Sequence, residues 1–87
     1  MATSGSGNWC VYVRLEKAPD IKVYFESEEL AIEANRELVS AIEAVRSGRA
    51  TIASFNGGRQ SVDAKRYISS EVLTAERVPG GSGGILF

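Results

Sequence analysis

The chain contains no histidine and only one cysteine, and each shortage removes a class of chemistry. Without histidine the usual general base and the commonest zinc ligand are missing. No serine or thiol then has an imidazole to activate it. The lone cysteine, Cys10, cannot form an intramolecular disulfide, which excludes a disulfide-stapled secreted scaffold. It sits in the apolar run of residues 9–13 and is expected to pack as a small buried hydrophobe. No apolar run approaches the roughly 18 residues that a membrane-spanning helix needs. Residues 1–8 have neither the basic nor the apolar region of a signal peptide, so a cytoplasmic location is expected. An excess of positive charge is also absent. The formal net charge is −1, which argues against bulk attraction to nucleic acid. No catalytic residue, metal ligand or cofactor is expected, and the chain is not expected to be an enzyme.

What remains is a chain of ordinary globular composition. Its 87 residues are 44% hydrophobic, enough for one domain with a modest core of its own. Small domains without staples often recruit a second copy of themselves. Six of the nine glycines fall at positions 5, 7, 80, 81, 83 and 84, in Ser/Gly-rich ends that read as coil. The expected organisation is a flexible tail over 1–8, a single α+β domain over 9–78, and a Gly/Ser-rich tail over 79–87.

Within the domain, periodicity assigns the elements. Trp9, Val11, Val13 and Leu15 alternate with Cys10, Tyr12 and Arg14, and Ile21, Val23 and Phe25 alternate with Lys22 and Tyr24. Pro19 and Asp20 supply turn chemistry between the two runs, predicting an antiparallel hairpin. Ser27 is a good N-cap for a helix over 28–46, with Glu28 and Glu29 at its positive end. Gly48 is expected to stop it in a left-handed conformation. Leu30, Ala31, Ala34, Leu38, Ala41, Ile42 and Val45 share one helical arc, predicted to face the sheet. Residues 50–55 predict a third strand, and Asn56-Gly57-Gly58 is the strongest hairpin signal in the chain. Residues 60–66 return antiparallel, residues 67–70 predict a kink, and residues 71–78 favour a fifth strand over a helix. The order is β-β-α-β-β-β: an antiparallel sheet of about five strands with one long amphipathic helix on one face.

Three constellations carry functional readings. Tyr12, Arg14, Lys22 and Tyr24 share the face of the first hairpin that turns away from the core. Such a set can stack and neutralise single-stranded nucleic acid, or RNA, or it can meet a protein partner. It can also simply stabilise an exposed sheet face. Arg59, Lys65 and Arg66 are candidate contacts for a small anionic ligand held between subunits. Ile32 and Val39, seven residues apart beside the core arc, widen the apolar stripe, and Ile85, Leu86 and Phe87 follow the glycine-rich spacer. These five are the candidate oligomer interface. Together they favour a small, non-enzymatic, self-assembling interaction or regulatory module. Nucleic-acid binding and anionic-ligand binding stand as the alternatives.

Overall fold

The structure, a computed structural model, describes residues 8–48 and 50–79, together with the backbone of residues 85–86. The expectations for residues 1–7, 80–84 and 87 lie outside the described residues. The fold is α+β. Its elements are β1 (Trp9–Leu15), β2 (Ile21–Phe25), α1 (Glu28–Arg46), β3 (Ile52–Phe55), β4 (Gln60–Asp63), β5 (Tyr67–Thr74), a 3-10 turn (Ala75–Arg77) and β6 (Ile85–Leu86).

The strands divide into two sheets rather than one. The larger has the order β5-β1-β2-β6, and the smaller is the β3-β4 hairpin. β1 pairs antiparallel with β2, setting Trp9 opposite Phe25, Val11 opposite Val23 and Val13 opposite Ile21. These residues face α1. Because side chains alternate across a strand, Cys10 opposite Tyr24 and Tyr12 opposite Lys22 must face the other way. β5 lies antiparallel along the other side of β1, and β6 pairs parallel with β2 through Val23–Ile85 and Tyr24–Leu86.

The helix is specified locally at both ends. Ser27 has extended backbone and its Oγ accepts from the Leu30 amide at 3.2 Å, satisfying one of the orphan donors of the first turn. The other end departs from expectation. Ser47, not Gly48, closes the helix, in a right-handed conformation, and its hydroxyl donates to the carbonyls of Glu43 and Ala44. Gly48 has no positive φ. A serine hydroxyl that can reach back one turn supplies the donor that a left-handed glycine would otherwise bring.

One apolar core joins both sheets through the helix. Val11, Val13, Val23 and Phe25 meet Ala31, Ala34, Leu38 and Ile42, and on these pack Ala53, Phe55, Val62 and Ala64 of the hairpin. Leu30 is the exception to the predicted arc, being 53% exposed. The three-residue run Asn56, Gly57 and Gly58 is left-handed throughout, with φ of 55°, 65° and 84°, as the hairpin signal required. The carboxylate of Glu37 accepts from the amides of Asn56 and Gly57, at 2.9 and 3.4 Å, and fixes the hairpin tip to one flank of α1. Leu30 lies on that same flank, in the first turn of the helix and two turns before Glu37.

Residues 67–70, expected as a kink, open β5 instead, and the strand ends at Thr74. Ala75–Arg77 then turns in a 3-10 helix whose first amide donates to the Asn8 carbonyl at 2.9 Å. Two arginines hold the turns together. Arg66 Nη1 donates to the carbonyls of Glu16 and Lys17 in the β1–β2 turn, where Lys17 has φ of 59°. Arg46 Nη2 donates to the carbonyls of Ala64 and Tyr67, with the guanidinium 5.7 Å from the centre of the Tyr67 ring.

Candidate functional site

The aromatic face of the first hairpin is not an open platform. Tyr12 and Tyr24 are only 7% and 6% exposed, and they form a second small core with Cys10 and Val78. Leu73 and Ala75 pack against it. The chain leaves β5, turns through Ala75–Arg77 and brings Val78 onto this side of the sheet, covering what the alternation of β1 and β2 leaves bare. The Tyr12 hydroxyl donates to Asp20 Oδ2, and that bond, ahead of burial, raises its pKa above the ordinary tyrosine value. Burial raises Tyr24 likewise. Cys10 has no exposed surface, and burial pushes its thiol up to about 11, so it stays protonated and unreactive near neutrality. Arg14 is exposed and Lys22 half-buried, and with both rings this deeply buried neither presents an open face for a base to stack on.

The proposed anion contacts do not converge. Arg59 ends the hairpin loop beside Gln60, whereas Lys65 and Arg66 follow Asp63 at the far end of a four-residue ladder. That separates them by about 10–13 Å of strand. Arg66 is occupied by the two carbonyls of the β1–β2 turn and by Asp63 at 3.7 Å. Lys65 lines an open cleft of about 420 Å³ with Val45, Arg46, Thr51 and Ala64, beside the end of α1. Among the described residues there is no group of three or more potential metal ligands. No described helix is long and apolar enough to cross a membrane.

A different surface is assembled along β5. On its inner side this strand pairs with β1, and among the described residues no strand pairs with its outer edge. The register shifts near its start, where Arg14 faces Ser69 and Leu15 faces Tyr67, leaving Ile68 as the extra residue of a bulge. Ile68 is 55% exposed. The helix is fixed above this edge by two contacts. Ser70 Oγ donates to Asn35 Oδ1 at 2.6 Å, and Arg46 reaches the Tyr67 carbonyl at 3.2 Å. Helix residues 35 to 46 therefore run alongside strand residues 70 to 67.

That alignment places Ile32 and Val39. They lie three residues before and four after Asn35, so all three share one flank of α1. Val39 is about 6 Å beyond Asn35 along the helix, and Ile68 is about 6.6 Å beyond Ser70 along the strand in the same direction. The two residues sit at the same level. Ile32 and Val39 are 39% and 38% exposed. The sequence pattern found Ile32 and Val39 but missed Ile68, because the paired serines at 69 and 70 broke the strand signal. The Tyr67-Ile68 pair, aromatic and β-branched, was the sign that the strand begins earlier.

Of the C-terminal candidates, Ile85 and Leu86 lie with their backbone along the outer edge of β2 in the same chain. No protein-family model, curated protein or solved structure matches the chain.

Proposed function

We propose that this protein is a small, non-enzymatic interaction module that associates with a second copy of itself through the outer edge of β5 and the adjoining flank of α1. The observation that carries this reading is the edge of β5, unpaired among the described residues, which carries the exposed Ile68 and runs along the helix flank of Ile32 and Val39. Open edges are pairing templates, and proteins that keep one monomeric usually shorten it, bulge it or load it with charge; here the bulge is confined to Ile68 at the start of the strand. Over Tyr67–Thr74 the only charged side chain is Glu71.

Pairing β5 antiparallel with its counterpart about a two-fold axis joins two larger sheets into one. The same operation brings the two helix flanks together over the seam, an isologous contact. Centring the pairing on Glu71 would oppose two carboxylates, which is unfavourable. Centring it on Ser70 sets each Glu71 opposite Ser69 of the other copy, and this is the register we favour. The buried second face, with Tyr12 and Tyr24 under Val78, weighs against nucleic-acid binding there.

Sedimentation equilibrium of the full chain tests the reading. A mass near twice 9.3 kDa at high micromolar concentration is expected. The Val39→Lys/Ile68→Lys double variant is expected to shift toward the monomer with its melting curve at low concentration unchanged, since both sites are exposed. A 9.3 kDa species at every concentration refutes the proposal.

A further inference from the structure

The two edges of the larger sheet are treated differently, and the difference has a direction. Among the described residues no strand pairs with the outer edge of β5, whereas Ile85–Leu86 pair with the middle of β2's outer edge, at Val23 and Tyr24. β5 and β2 each run antiparallel to β1, so they run parallel to one another. β6 is also parallel to β2. Consider a second copy displaced sideways along the sheet in the same orientation. Its β5 would approach β2 in the parallel sense, and it would enter the position that β6 fills. Repetition of that contact is heterologous and does not close, so it builds an open filament rather than a pair.

We infer that Ile85–Leu86 is an edge cover which blocks head-to-tail sheet extension, and that the occupant of an uncovered β2 edge is the β5 edge of a second copy. The inference rests on the reading of β5 as an association edge. With β2 covered, the larger sheet keeps one long open edge among the described residues, that of β5, and two such edges can meet only once. Association then stops at a closed pair. With β2 uncovered each chain has two compatible edges and growth continues. A strand supplied by the same chain is the cheapest cover, since it meets the edge at the high local concentration that tethering gives.

The test uses the full-length chain carrying Ile85→Pro and Leu86→Pro. Proline has no amide hydrogen, so whichever of the two residues donates to β2 loses that bond. Sedimentation velocity over a concentration series, with amide exchange in β1 confirming an intact fold, supplies the readout. The expected result is a pair for the unaltered chain and a continuous rise in size beyond the pair for the double-proline chain. Adding Val39→Lys and Ile68→Lys to the double-proline chain should stop that growth. A double-proline chain that remains a pair overturns the edge cover and leaves the β5 interface standing. A monomeric unaltered chain whose double-proline form grows supports the cover and overturns the closed pair. Monomers throughout overturn both.

Discussion

Truncating Leu38 and Leu30 in separate variants sets the sequence pattern against the packed structure, because the helical arc assigns both residues to the core. Leu38 has no exposed surface and lies where the large sheet, the helix and the β3-β4 hairpin meet. Its change to alanine removes the equivalent of about three buried methylene groups, or about 2.4 kcal/mol of transfer free energy at about 0.8 kcal/mol each. A cavity that the two sheets cannot fully close raises the cost to about 3–5 kcal/mol. Domains of this size are stable by roughly 4–13 kcal/mol. Leu38→Ala should therefore lower the melting temperature by roughly 12 °C or more, at about 4–8 °C per kcal/mol. Leu30 is 53% exposed, so Leu30→Ala should cost under about 1 kcal/mol. Urea denaturation of both variants, with unchanged m-values, gives the comparison directly. Equal losses at the two positions would refute the helix orientation on which the β5 surface depends.

Cys10 should be inert to thiol reagents in the folded protein and should react at the rate of unfolding. Its thiol is raised from 9.0 to about 11, so the folded state holds a proton that the unfolded state releases first. The corresponding stability is complete below pH 9 and is lost as the pH climbs toward 11. The loss is on the order of 3 kcal/mol, for a rise of about two pH units at about 1.4 kcal/mol each. Tyr12 and Tyr24 act in the same direction from about pH 10 upward, overlapping the thiol, so the measurement is the smaller alkaline loss in Cys10→Ala relative to the unaltered chain. Arg66→Ala removes two hydrogen bonds to the β1–β2 turn and should cost about 1–2 kcal/mol by chemical denaturation; no change would mean that the turn holds without this clasp.

Where one periodicity runs uninterrupted, the elements were legible in the sequence. β1, β2 and α1 appear at the residues that alternation and the helical arc assign, and the Asn56-Gly57-Gly58 turn follows from its need for positive φ. Local rules failed where a distant segment completes the environment. The hairpin of β3 and β4 is too short to show that it packs on the helix rather than continuing the larger sheet. Its attachment rests on Ala53, Phe55 and Val62 packed in the helix core and on Glu37 at its tip, about twenty residues away in the chain. The burial of Tyr12 and Tyr24 depends on Val78, which no alternation within β1 and β2 reveals. The positions of two arginines were illegible for a related reason. Arg66 and Arg46 are drawn to backbone carbonyls that become neighbours only when the turns are brought together. Ile32 and Val39 were visible as a widened stripe, but their meaning comes from the strand beside them.

Amide hydrogen exchange followed as a function of protein concentration tests the β5 edge most directly. Amides of Tyr67–Thr74 that point away from β1 should exchange rapidly in dilute solution and gain protection as concentration rises through the association range. Amides of β1, bonded on both sides within one chain, should not change. Protection along β5 that is the same at every concentration, or that rises equally in β1, would contradict association through this edge.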